Sequence, residues 1–212
     1  LPNRSGGYPP PDLQQFRDSI AENGQISPWI PTANGSGIND SDAANAIRAV
    51  KVAQDNKPLN SIDGNWFFSF SEVGASNTGN QFMMSQTGVL PTNATLLSLS
   101  GHFANEYDDF GTVSLFAYDS TNHVLAEVSI GNLKNNQNGD DFHWTMFSTD
   151  LALPAAAIFW GVKLTGELVT GGSINVYWDN LSLTYQSVPE PGTMALLVIG
   201  FVSAAITRRR VR

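Results

Sequence analysis

The chain has 212 residues, with 19 Asp and Glu against 11 Lys and Arg, a formal net charge of −8 and no cysteine. The missing thiols exclude a disulfide framework, a thiolate nucleophile and a thiolate metal site. Residues 1–187 hold 18 acids and seven bases, a net of −11, while residues 188–212 hold one Glu and four Arg, a net of +3; an acidic body with no basic stripe argues against a nucleic-acid partner.

In chain order, residues 1–30 read as a loop and short helix. Gly6-Gly7-Tyr8-Pro9-Pro10-Pro11 is loop. Asp12 then caps a helix, Gln15 completes a capping box, and Gly24 stops it. Leu13, Phe16 and Ile20 share one face of that helix. Asn34-Gly35-Ser36-Gly37 is a further loop. Residues 31–186 read as one domain of mostly period-two pattern. Residues 42–53 fit a helix by their alanines and a strand by Ile47 to Val52; strand is expected. Trp66, Phe68 and Phe70 alternate with Phe67 and Ser69, and Leu97, Leu99 and Phe103 with Ser98, Ser100 and His102. Val113, Leu115 and Ala117 oppose Ser114, Phe116 and Tyr118. Val124, Ala126, Val128 and Ile130 oppose Glu127 and Ser129, and Ile158, Trp160, Val162 and Leu164 oppose Lys163. Such strands bury one face and are separated by Asn, Asp and Gly turns. The expected fold is all-β, an antiparallel β-sandwich of jelly-roll type, with a short N-terminal helix and a C-terminal hydrophobic helix.

In the last strand the apolar phase flips. Ile174, Val176 and Trp178 are even-numbered; Leu181, Leu183 and Tyr185 are odd. A flip needs an extra residue, so a bulge is expected at Asp179-Asn180.

Residues 187–212 have a tripartite pattern. Val188-Pro189-Glu190-Pro191-Gly192-Thr193 precedes an uncharged run, and Arg208-Arg209-Arg210 follow it. The run from Thr193 to Thr207 is 15 residues, about 23 Å as a helix, a little short of the roughly 30 Å hydrocarbon core. Snorkelling arginines close the gap and, by the positive-inside rule, keep the C-terminus cytoplasmic. These residues resemble a PEP-CTERM sorting signal, carried by exported proteins of Gram-negative bacteria. The resemblance implies an exosortase as partner, with Pro189, Glu190 and Pro191 as its recognition motif and Arg208, Arg209 and Arg210 as the basic end. It also implies a transient anchor in the inner membrane, followed by delivery to the cell envelope or beyond. An N-terminal export signal is expected ahead of Leu1, which is not a methionine.

The body has a fainter resemblance. Ser173-Ile174-Asn175-Val176-Tyr177-Trp178-Asp179-Asn180-Leu181-Ser182-Leu183 is similar to the closing strand of galactose-binding-like jelly rolls. The Asn80 to Thr87 stretch and Ile62-Asp63-Gly64-Asn65-Trp66 fit the same pattern. The resemblance implies a structural calcium, with Asp179 as a ligand and Glu22 as its N-terminal partner, and a sugar site on loops or a concave face.

Catalytic constellations are thin. His102, His123 and His143 lie in separate segments and form no metal-binding pair. Glu106-Tyr107-Asp108-Asp109-Phe110-Gly111 resembles the Glu-x-Asp-x-x-Glu strand of jelly-roll glycoside hydrolases. Gly111 stands where the second glutamate belongs, so the carboxylate pair is incomplete. Asp108 and Asp109 then read as a solvated turn or a calcium site. Asn136 to Asp141 reads as a plain turn. Trp66, Trp160 and Trp178 follow the inward phase, which leaves Trp29 and Tyr177 as candidate sugar-stacking rings. The expectation is a non-enzymatic exported protein of the envelope or matrix that binds polysaccharide. A secreted glycan-active enzyme and a purely structural matrix protein are the alternatives.

Overall fold

A computed structural model describes residues 29–50, 59, 61–62, 66–73, 77–106, 109–134, 143–169 and 173–188. The helix expected over residues 12–24, the loop acids Asp108 and 136–141, Glu22, and the tail with Pro189, Glu190, Pro191, Arg208, Arg209 and Arg210 lie outside the described residues.

Among the described residues ten strands form two antiparallel sheets, joined by one helix. They are β1 (Ile30–Asn34), α1 (Asp40–Ala46), β2 (Ile47–Val50), β3 (Phe67–Val73), β4 (Gln81–Val89), β5 (Ala94–Asn105), β6 (Phe110–Tyr118), β7 (Val124–Leu133), β8 (Thr145–Ala152), β9 (Phe159–Glu167) and β10 (Ser173–Ser187). The front sheet runs β1-β4-β9-β6-β7 and the back sheet β2-β3-β10-β5-β8. Every described pairing is antiparallel. The sandwich expected from the period-two pattern is therefore the fold.

The core lies between the sheets. Phe82, Met84, Val113, Leu115, Trp160, Val162 and Leu164 come from the front, and Phe68, Phe70, Leu97, Leu99, Phe103, Val176 and Trp178 from the back. Burial of the alternate residues of each strand drives the stacking of the two sheets. Trp160 and Trp178 are fully buried, and Trp66 packs against the core, as their phase requires.

Two local features differ from the sequence expectation. Residues 40–46 are helix, and the strand expected over 42–53 starts only at Ile47. The Asn39 side chain accepts from the Ser41 backbone N–H at 2.9 Å, and Asp42 Oδ2 accepts from the Asn39 N–H at 2.7 Å. This reciprocal cap fixes the helix start, and the alanines propagate it. The Ile30-Pro31-Thr32-Ala33-Asn34 stretch forms an edge strand on β4, which tolerates its proline because one side of an edge strand needs no donor.

The bulge is present. Asp179 pairs with His102 and the next partners are Ser182 and Ser100, so β10 gains one residue against β5 there. Asn180 takes a left-handed φ of 49°. Asp179 Oδ1 accepts from the Asn180 N–H at 2.7 Å, and Oδ2 accepts from the Ile62 N–H. The carboxylate thus braces the bulge and ties the 61–62 segment to it.

Candidate functional site

The two outer faces of the sandwich differ. Behind the back sheet, Phe67, Ala104 and Tyr177 form a second buried cluster with Leu59, and Val50 and Trp144 pack against it. Phe67 meets Tyr177 and Trp144 edge-on, at centroid distances of 5.8 Å and 5.5 Å. Tyr177 is therefore 0% exposed. It shares the outward face of Asn175, but that face is covered, so Tyr177 offers no ring to a sugar. Trp29 is 4% exposed and packs edge-on against Phe68. It is a core residue and offers none either.

The outer face of the front sheet carries a different set. Phe110, Phe116 and Tyr118 of β6 and Phe159 of β9 point outward and are half-buried. Among the described residues no second cluster covers them. Register aligns them in rows across the strands. Tyr118 lies opposite Phe159, and Phe159 opposite Val89. One step along, Phe116 lies opposite Gly161 on one side and Glu127 on the other. The Phe116 and Tyr118 rings are near-parallel, with centroids 5.8 Å apart and 25° between planes. Lys163 Nζ stands 5.4 Å over the Phe116 ring, a cation–π contact.

Gly161 explains how the Tyr118 ring sits. A Cβ there would meet Tyr118 Cε2 at 2.7 Å and its hydroxyl at 3.1 Å. The ring therefore lies against the bare backbone of β9. Polar groups lie further along the same face. The Ser114 and Ser129 hydroxyls are 2.7 Å apart, and Ser129 Oγ donates to Glu127 Oε1 at 3.1 Å. Ser129 has one proton, so Ser114 is the donor to Ser129. Burial, and then the Glu127 charge, hold the Tyr118 phenol above its ordinary range. Its hydroxyl stays a donor at neutral pH. A Gly161→Ala substitution is expected to lift the ring off β9, rehydrate the phenol and bring its titration back toward the ordinary tyrosine value. Difference spectrophotometry against pH checks this; an unchanged titration counts against the packing described.

Two of the acids expected to hold calcium bond the backbone. Asp109 is fully buried. Its Oδ1 accepts from the Val169 N–H at 3.1 Å and its Oδ2 from the Asn175 N–H at 2.9 Å. Asp179 has the backbone partners given above. Among the described residues no three His, Cys, Asp or Glu converge as a metal set. Both oxygens of Asp109 and of Asp179 thus accept from backbone N–H groups, which makes these acids braces of the fold; Glu22 and Asp108, the other two expected calcium ligands, lie outside the described residues. Glu106 of the hydrolase-like motif is also fully buried. The histidines stay apart. His102 is half-buried on β5, where desolvation lowers its pKa; His123 is exposed in the β6–β7 turn beside Asp119, and His143 is exposed before β8. Asp119 is held below the usual carboxylate range by hydrogen bonds, first from the Thr121 side chain and then from the His123 backbone.

The aromatic rows were missed by the sequence expectation, although Phe116 and Tyr118 were placed on the outward phase. The available signal was two large aromatics in succession on a face otherwise expected to be polar.

The fold defines the class. The chain superposes on TmCBM61, solved in complex with β-1,4-galactotriose, with a TM-score of 0.52 and 15% identity, covering 81% of this chain and 98% of that one. It also superposes on the enzymatically active domain of tailspike protein 4 of bacteriophage CBA120, with a TM-score of 0.56 and 13% identity; it covers 81% of this chain and only 21% of the tailspike chain. At these identities the likeness establishes the jelly-roll sandwich shared with carbohydrate-binding modules, and no more. No curated protein sequence matches the chain. The tail is the more specific finding: residues 187–210 match the PEP-CTERM protein-sorting motif. The chain therefore carries the sorting signal expected from Pro189-Glu190-Pro191, and that signal marks an exported protein sorted to the envelope. Among the described residues no helix is long and apolar enough to cross a membrane.

Proposed function

We propose that this is an exported, non-catalytic polysaccharide-binding sandwich whose glycan site is the outer face of the front sheet. The tail holds the chain in the inner membrane, arginines cytoplasmic, until an exosortase processes it. The observation that carries the binding role is the outward aromatic set Phe116, Tyr118 and Phe159, which no cluster of described residues covers. A pyranose has an apolar C–H face and a rim of hydroxyls. Here flat rings share the face with the Tyr118 hydroxyl, Ser129, Lys163 and Glu127, which supply donors and acceptors for that rim. The β-1,4-galactotriose bound by TmCBM61 makes β-galactans the first ligands to try.

Binding without cleavage is supported by the spacing of the acids on this face. Glu127 shares a row with Phe116 and Glu167 one with Phe110. Those rows are six residues apart along β6, about 20 Å. Glycoside hydrolysis needs its two carboxyls within roughly 5–9.5 Å.

Affinity electrophoresis through gels containing soluble polysaccharides tests the proposal. Wild-type protein is expected to be retarded by at least one of them. The Tyr118→Ala, Phe159→Ala double variant is expected to lose about tenfold or more, some 1.4 kcal/mol for each tenfold, while melting as a folded sandwich. Retardation equal in both proteins, or absent from a broad polysaccharide panel, would refute it.

A further inference from the structure

The strand directions place three connections and the chain exit at one pole of the sandwich. These are the turns at 90–93, 119–123 and 153–158, and the end of β10 at Ser187. The opposite pole holds the start of β4, the end of β5 and the start of β10. Large exposed apolar side chains gather at the first pole. Val89, Val124, Leu125, Ile158 and Val188 are 37–58% exposed there, five of the eight such residues among those described. They ring the pole from both sheets: Val89 ends β4, Val124 and Leu125 open β7, Ile158 precedes β9 and Val188 follows β10.

Two further features distinguish this pole. It is poor in acid. The body carries 18 carboxylates, yet the residues 90–93, 119–123, 153–158 and 187–188 include only Asp119. Asp119 Oδ1 accepts from the Thr121 N–H, the Thr121 hydroxyl and the His123 N–H, so it is engaged within its own turn. The pole is also where the chain leaves for the tail. The Val188 N–H donates to the Asn93 carbonyl at 3.1 Å, which pins the last described residue to the β4–β5 turn. Only four residues, 189–192, separate Val188 from the uncharged run that starts at Thr193. Fully extended, that tether spans no more than about 18 Å.

We propose that this pole is a lipid-facing rim, which rests on the bilayer surface while the tail holds the chain in the membrane. The inference rests on the reading that the tail enters the membrane. A short tether confines the pole to the interface, where its local concentration near lipid is high, so even a weak apolar contact is occupied. Valine, leucine and isoleucine distributed around the end of a sandwich suit a plane of acyl chains and headgroups. An anionic bilayer repels the acidic body, and the acid-poor pole is the end that approaches it at least cost. The rim therefore orients the sandwich with its long axis away from the membrane. Processing at the tail removes the tether, and the rim alone is then too small to keep the protein on the bilayer.

The absence of cysteine makes single-site labelling clean. Full-length protein is reconstituted into vesicles of phosphatidylethanolamine and phosphatidylglycerol at 3:1. Bimane is attached at Val124→Cys, Ile158→Cys, Met146→Cys or Val198→Cys in turn, and doxyl-labelled lipid serves as quencher. Met146 is exposed and opens β8 at the far pole. Labels at 124 and 158 are expected to be quenched about threefold or more relative to the label at 146. Equal quenching at 124, 158 and 146 overturns the rim while leaving the tail's insertion intact, provided the label at 198 is quenched. An unquenched label at 198 overturns the membrane reading itself and the rim with it. Quenching of the rim labels that appears only in native membranes, and not in pure lipid, assigns the surface to a protein partner and also overturns the proposal. Glycan retardation is measured on the same variants, so the lipid and polysaccharide readings fail separately.

Discussion

A Trp178→Ala substitution is expected to destabilise the sandwich by about 3–5 kcal/mol and to lower its melting temperature by about 10 °C. Trp178 is fully buried at the middle of β10, the strand that lies between β3 and β5. Its ring meets Phe103 at 5.0 Å, Phe147 at 5.7 Å and Phe70 at 6.5 Å, three rings from three strands of the back sheet. It also reaches across the core: a Cβ on Gly111 of the front sheet would meet it at 2.7 Å. Removing the indole therefore opens a cavity that touches both sheets, and neighbouring rings cannot collapse into it without leaving their strands' register. The indole Nε1 is buried with no hydrogen-bond partner among the described residues, a cost that the native fold already carries. Trp178→Phe removes that unsatisfied donor along with some volume, so it is expected to cost much less than the alanine change. Urea unfolding with an unchanged slope measures both. Equal losses for the two variants, or a loss below about 1 kcal/mol for alanine, would show that packing of this ring is not what holds the sheets together.

The sequence announces the core more clearly than the surface for a physical reason. Alternation over Val113 to Ala117 or Trp160 to Leu164 reports which face of a strand is apolar, and the inner face of a sandwich must be. The phase flip between Trp178 and Leu181 likewise has only one geometric resolution, the bulge at Asp179-Asn180. Whether an outward face is bare or covered is a different matter, since distant chain segments decide it. Tyr177 and Tyr118 both stand on outward phases. The first is covered by Leu59 and Trp144, while among the described residues no such cluster covers the second. No local pattern separates them. Strand β8 escaped notice because only Phe147 and Leu151 of its eight residues are buried, too few to mark a period. Helix α1 turns on the Asn39 cap, which competes with the strand tendency of Ile47 and Val50 and wins only up to Ala46. The acids are ambiguous in sequence for a related cause. A carboxylate near a turn looks alike in sequence whether it meets an ion, water or backbone N–H groups.

Asp109 brings that last ambiguity to a measurable outcome. Its two carboxylate oxygens accept from the Val169 and Asn175 N–H groups, its carbonyl accepts from Asn105 Nδ2 at 2.8 Å, and beside it the Glu106 N–H donates to the Asn175 carbonyl at 2.9 Å. The loop between β5 and β6 is thereby locked to the end of β9 and the start of β10, at the pole opposite the tail. Asp109→Ala leaves two backbone donors without these acceptors in a water-poor site, each at about 1–3 kcal/mol. The expected loss is about 2–5 kcal/mol, comparable with that of Trp178→Ala although far fewer atoms are removed. Asp109→Asn is expected to recover only part of it, because its amide offers one acceptor and sets a donor against a donor. The comparison that decides between brace and ligand is the same melt in excess chelator and in millimolar calcium. A brace predicts the same gap between wild type and variant in both. A calcium ligand predicts that the gap closes in chelator, because the wild type then falls to the level of the variant.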